Sequence, residues 1–143
     1  MIKIYTDGSC YPNPGGPGGY SYLIEDNFGT QIKNYYGGET SSTNNRMEMR
    51  AAISALEYMK NYPRSNIELY TDSQYLKNGI TEWIHTWQKR NFKGVKNGDL
   101  WAQIYSLMFI HDLIVIWIKG HEGHPQNEKC DELALKGRLE FTL

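Results

Sequence analysis

What this chain has little of narrows its function first. There are only two cysteines, Cys10 and Cys130, in 143 residues. That is too few for a disulfide framework and points to reduced thiols in a cytoplasmic protein. Long apolar runs are missing as well. The longest, "LIVIWI" at 113–118, falls far short of the ~20 residues that cross a bilayer, so no membrane association is expected. The opening "MIKIYTDG" does not have the basic-then-apolar shape of a secretory leader. Nor is there a surplus of charge. Fifteen basic and sixteen acidic residues leave a net charge of −1, so the overall field advertises no polyanionic partner, and any such partner must be met by a local patch.

What is present is enough for one folded domain, expected to span 1–143 without a linker or low-complexity break. Apolar residues make up 40% and aromatics 13%, which is globular composition. "IKIYT", "YSYLIED" and "TQIKNYYGG" read as three strands in a meander. A helix follows over 43–60, ending before Pro63, and then the strand "NIELYT". "SQYLKNGITEWIHTWQKR" reads as helical with a break near Gly79, and "DLWAQIYSLMFIH" as another helix. "LIVIWIK" is expected to be a buried strand, and "EKCDELALK" a last helix closed by Gly137. The order βββαβααβα predicts an α/β fold around one mixed sheet.

Against this pattern one residue is out of place. In "TNNRMEMRAAISALEYM" (43–59), the residues Met49, Ala51, Ala52, Ile53, Ala55, Leu56 and Met59 share one broad helix face, and Glu48 falls near its middle. A capping box would explain it, with Asn45 as the cap and Glu48 reaching back to its N–H. The alternative is an inward carboxylate facing a cation, and that needs companions. "IKIYTDGS" (2–9) and "IELYTDSQ" (67–74) echo each other, so two strands end in aspartates, Asp7 and Asp72. If those strands are parallel neighbours, both acids emerge at one sheet edge, where open α/β sheets place their sites; an ordinary Asx-turn would explain either one alone. Asp131, in the last helix, is a fourth candidate. Four converging carboxylates repel one another, whereas with hard divalent cations they form an all-oxygen site. Two such ions about 4 Å apart polarise a phosphodiester for in-line displacement.

Other motifs exclude as much as they suggest. "PNPGGPGG" lacks the Gly-Lys-Ser/Thr end of a phosphate loop, and its glycines fit a tight hairpin and close backbone approach to a ligand. "KGHEGH" offers His121 and His124, but with Cys130 these make only three zinc ligands, and the metalloprotease spacing is missing. Between 83 and 101, Lys89, Arg90, Lys93 and Lys96 are interleaved with Trp83, Trp87 and Phe92, with no acid before Asp99. Such a run is either a solvated helix end or a nucleic-acid groove.

"YTDGSC", "NPGGPGGY", "STNNRMEMRAA", "TDSQYLKNGITEWI" and "KGHEGHPQNEKCDELA", in this order from Lys3 to Leu135, resemble the bacterial-type ribonuclease H family, ribonuclease HI. The resemblance implies the ribonuclease H fold, a five-stranded mixed sheet with helices on both faces. It implies an endonuclease that hydrolyses the RNA strand of RNA–DNA hybrids to 5′-phosphate and 3′-hydroxyl ends. Asp7, Glu48, Asp72 and Asp131 would hold two Mg²⁺ ions, with Mn²⁺ able to substitute, and His121 would be the mobile active-site histidine. Asn13, Asn44, Asn45 and Gln74 would lie along the minor groove, where they can sense ribose 2′-hydroxyls. The basic segment becomes a protrusion that receives the DNA strand, using Trp83, Trp87, Lys89, Arg90, Lys93 and Lys96, with Thr43 and Asn97 near a DNA phosphate. A monomer is expected. The sequence departs from the family pattern in a short protrusion, in Ser41 where relatives can carry arginine, and in a brief tail after Asp131. Two rivals remain: a hybrid-binding module without catalysis, which would be expected to have lost an acid, and a DNA nuclease on the same fold, which would not need the 2′-hydroxyl-reading amides.

Overall fold

The computed structural model describes residues 1–120 and 123–142. Five strands form one sheet: β1 (Ile2–Cys10), β2 (Gly18–Glu25), β3 (Gln31–Glu39), β4 (Asn66–Thr71) and β5 (Asp112–Trp117), in spatial order β3-β2-β1-β4-β5. The meander β1–β2–β3 is antiparallel, whereas β4 runs parallel to both β1 and β5. The sheet is therefore mixed, as the sequence predicts. Helix α1 (Asn44–Met59) and the C-terminal helix α5 (Pro125–Glu140) cover opposite faces. Strand pleating sorts the residues between them. Ile4, Tyr22 and Ile24 pack with Met49, Ala52 and Leu56 of α1, while Tyr5 and Leu23 pack with Cys130 of α5. Among the described residues no helix is long and apolar enough to cross a membrane.

The α-helix breaks at Gly79 as expected, but the chain stays helical. The helix continues from α2 (Gln74–Asn78) through a π-helical turn (79–83) into α3 (Ile84–Lys89). Gly79 is needed because any side chain there would collide with the ring of Trp101, a buried residue of α4 (Gly98–Leu107).

Two expectations are corrected. Gly137 does not close the last helix, which runs on to Glu140. A Cβ at Gly137 would strike the carbonyl of Gly37, and one at Gly19 would strike that of Ala134, so this glycine lets α5 lie directly on β2 and β3. Strand β5 is not buried on both faces. It is the sheet edge, with Ile114 61% exposed and Val115 its only buried residue. An apolar run looks the same in a central strand and in an edge strand.

Candidate active site

The parallel register pairs Tyr5 with Tyr70, so the two echoed segments run side by side. Their tyrosines stack with ring centroids 4.8 Å apart. Both threonines of the echo are fully buried, and the Thr6 hydroxyl donates to the Tyr70 carbonyl (3.3 Å). Two residues beyond the tyrosines, Asp7 and Asp72 emerge at the same edge. Glu48 reaches them from α1. The ligand atoms of Asp7, Glu48 and Asp72 all lie within 4.8 Å of one another. Asp131 lines the same cavity, of about 530 Å³, and its carboxyl hydrogen-bonds Asp7. All four predicted acids thus meet in one place.

Glu48 is not part of a capping box. The N-cap of α1 is Thr43, whose hydroxyl accepts from Arg46 N (3.1 Å). The Glu48 carboxylate instead crosses to the sheet, where Oε1 accepts from Gly8 N (2.6 Å) and Oε2 from the Thr71 hydroxyl (3.4 Å). Gly8 makes this possible, since a Cβ there would collide with the backbone of Met47 and Glu48. Sequence reasoning missed the residues that orient the acids. Thr71 is one, and its hydroxyl also accepts from Ser73 N (3.0 Å). Trp117 is another, its indole N–H donating to the Asp72 carbonyl (3.0 Å). The Tyr-Thr-Asp echo contained a signal for Thr71; nothing in the sequence singled out Trp117.

The electrostatics are those of a cation site. Burial, followed by the Asp72 charge, pushes the Asp7 carboxyl up to about 8. Burial and the charges of Asp7 and Asp72 raise Glu48 well above the ordinary carboxylate range. The two carboxyls are close enough to share a proton, so without a cation the pair resists becoming doubly charged. A divalent ion would remove both penalties by supplying positive charge to deprotonated oxygens. A second cavity, of about 560 Å³, lies at the other end of β4 and β5. It contains no comparable acid cluster, and its Asp112 is paired with Arg64 at 2.7 Å.

Around the acids, Asn44, Asn45 and Gln74 line the cavity. A smaller adjoining hollow of about 240 Å³ is lined by Asn13, Thr43, Asn44, Asn45, Lys96 and Asn97. Several of these amides also brace the backbone: Asn44 Oδ1 accepts from Cys10 N (2.7 Å), and Asn13 Oδ1 from Asn44 N (3.0 Å). Asn97 bridges Arg46 and the Tyr75 hydroxyl. Ser41 caps the glycine loop by donating to the Gly15 carbonyl (2.8 Å). Lys89, Arg90, Lys93 and Lys96 are all exposed. Trp83 is 37% exposed, but Trp87 is half-buried against Trp101, ring centroids 5.3 Å apart, and supports the ridge from beneath. His121 lies outside the described residues. His124 is the exposed N-cap residue of α5.

The family model described as RNase H matches residues 1–138. A ribonuclease H of Polynucleobacter asymbioticus is 48% identical over 98% of this chain and 91% of its own length. One from Escherichia coli O9:H4 is 46% identical over 100% of this chain and 92% of its own. Among solved structures, LC9-RNase H1, described as a type 1 RNase H with the type 2 active-site motif, superimposes with a TM-score of 0.88 at 31% identity, covering 99% of this chain and 73% of that one. LC11-RNase H1, solved in complex with RNA/DNA hybrid, shares the fold with a TM-score of 0.78 at 23% identity, covering 98% of both chains.

Proposed function

The chain belongs to the ribonuclease H family of metal-dependent nucleases, and from that premise we propose its reaction in full. Acting as one domain over 1–143, it is an endonuclease that hydrolyses the RNA strand of RNA–DNA hybrids, leaving 5′-phosphate and 3′-hydroxyl ends. The observation that carries this reading is the meeting of Asp7, Glu48 and Asp72 within 4.8 Å, with Asp131 on the same cavity. Buried, mutually repelling carboxylates with only oxygen donors fit Mg²⁺, or Mn²⁺ in its place. Asp7 would be shared by two ions. Asp72 would join it beside the attacking water, with Glu48 and Asp131 beside the leaving 3′-oxygen. Such ions supply Lewis-acid activation of water and stabilisation of leaving-group charge.

The chain's own residues do the positioning. Thr71 and Gly8 hold the Glu48 oxygens, and Trp117 holds the Asp72 backbone, so the carboxylates are aimed before substrate arrives. Asn13, Asn44, Asn45 and Gln74 offer amides to 2′-hydroxyls in the minor groove. Thr43 and Asn97 line the hollow that would take a DNA phosphate, with Lys96 at its wall. His121 would move a proton or help product leave. The protein would work as a monomer in the cytoplasm, which its two free, buried thiols suit.

Two results are expected. EDTA abolishes cleavage of a labelled RNA–DNA duplex, Mg²⁺ or Mn²⁺ restores it, and RNA–RNA and DNA–DNA duplexes stay intact; cleavage that persists in EDTA would exclude metal catalysis. Neutralising Lys89, Arg90, Lys93 and Lys96 raises KM and flattens its salt dependence, because fewer counterions are released on binding. The kcat should change little, since none of these residues touches the acids. An unchanged salt slope would reduce the ridge to solvated surface.

A further inference from the structure

Asp131 is the one acid of the site that its immediate surroundings do not enclose. It is exposed on α5, whereas Asp7 and Glu48 are buried. Its placement therefore depends on how α5 is held against the sheet. One anchor is steric. Gly137 and Gly19 let the helix touch β2 and β3 without side chains between them, a contact that sets the distance of approach; at the far end the Tyr36 hydroxyl also donates to Glu140 (2.7 Å). The second anchor lies seven residues before Gly137, ~10 Å along the helix axis, at the fully buried Cys130 beside Asp131. Its thiol donates to the Tyr5 carbonyl on β1 (3.4 Å). Its carbonyl accepts from the Ser21 hydroxyl on β2 (2.6 Å).

Ser21 is completely buried and stands opposite Asp7 in the β1–β2 register, so both side chains rise from the same face of the sheet. One strand pair thus carries both the shared acid and the group that ties down the helix bearing its partner. A carbonyl has two lone pairs, so Cys130 can take this hydroxyl in addition to its helical bond. The bond is short and directional, which the glycine contact is not.

We propose that Ser21 is a positioning residue for the metal site, its hydroxyl fixing α5 through the Cys130 carbonyl so that Asp131 meets Asp7. This rests on the reading of Asp131 as a metal ligand. Ser21 does not line the cavity of the acids and acts through the helix.

The test uses the full chain, metal-free at the start, with Ser21→Ala, Asp131→Asn and the double variant. Mg²⁺ binding is measured by calorimetry without substrate, and backbone amide exchange is followed at 130–134. Ser21→Ala should weaken Mg²⁺ binding about tenfold, as loss of a group that orients a ligand does. It should speed exchange at 130–134 relative to α1, and leave KM for hybrid at saturating Mg²⁺ within about twofold, since no substrate contact is lost. In the Asp131→Asn background the same change should alter Mg²⁺ affinity less than about twofold, because coupled residues are not additive. A lowered melting temperature with unchanged Mg²⁺ affinity would make Ser21 merely structural and overturn the inference. Equal weakening in both backgrounds would overturn it too, by showing that Ser21 acts elsewhere. If Asp131→Asn alone left Mg²⁺ binding intact, the ligand role of Asp131 would fall, and the inference with it.

Discussion

Asp7→Asn is expected to abolish turnover almost completely while the fold survives. Asp7 is acted on by each of the other three acids: Asp72, Glu48 and Asp131. The amide keeps the shape and removes the charge that two ions would share. Losing one preorganised electrostatic group costs on the order of 10²–10³-fold, and the shared ligand should lie at or beyond the upper end. Stability should move the other way. The folded Asp7 carboxyl holds its proton up to about 8, against an ordinary value of 3.8. Between those values the folded protein binds more protons than the unfolded chain, so metal-free stability falls as pH rises. The penalty is absent below about pH 4 and complete above about pH 8. Asp7→Asn should flatten this slope and raise the melting temperature of the metal-free protein at pH 8. Mg²⁺, which competes with these protons, should stabilise the wild type more at pH 8 than at pH 6. Full activity with a native circular-dichroism spectrum would remove Asp7 from the chemistry. A melting profile with the wild-type pH slope would show that its carboxyl is not strained.

The site was more legible in the sequence than the packing around it. The echo at 2–9 and 67–74 marked two strands ending in aspartates, and parallel pairing turned that repeat into proximity. Glu48 was legible as a misfit on an apolar face. Which residue caps α1 was not, because Thr43, Asn44 and Asn45 are all good caps in a row; Thr43 takes the role, while the Asn44 side chain is engaged by Cys10 N. Glycines showed less in the sequence than they do in the fold. Gly79 marks where the α-helix gives way to a π-helical turn and Gly137 lies inside α5, and at each Trp101 or the Gly37 carbonyl leaves no room for a side chain. A close approach between distant elements has no local signature. Nor does an edge: "LIVIWI" carries the same apolar pattern whether or not another strand lies beyond it. Ser21 was invisible for a related reason, since its partner lies 109 residues away.

Glu48→Gln tests whether the misfit carboxylate serves the fold or the metal. The geometry lets glutamine keep the bond to the sheet, with Oε1 still accepting from Gly8 N, while an amide placed toward Asp7 and Thr71 donates where the carboxylate accepted, so the Thr71 contact reverses its direction. No cap is lost, because Thr43 supplies it. What disappears is a carboxyl that burial and two neighbouring acids hold far above its usual range. The metal-free variant should therefore be at least as stable as the wild type, with the gain growing as pH rises and Glu48 would otherwise be forced toward charge. Cleavage should fall by about 10²-fold or more at millimolar Mg²⁺, with the loss partly offset by higher Mg²⁺, since a three-acid site binds the ion more weakly. Melting curves with and without Mg²⁺, paired with hybrid cleavage rates, read both effects on one protein. A variant that is destabilised yet cleaves at the wild-type rate would make Glu48 a structural tie between α1 and β1, leaving the site with Asp7, Asp72 and Asp131 alone.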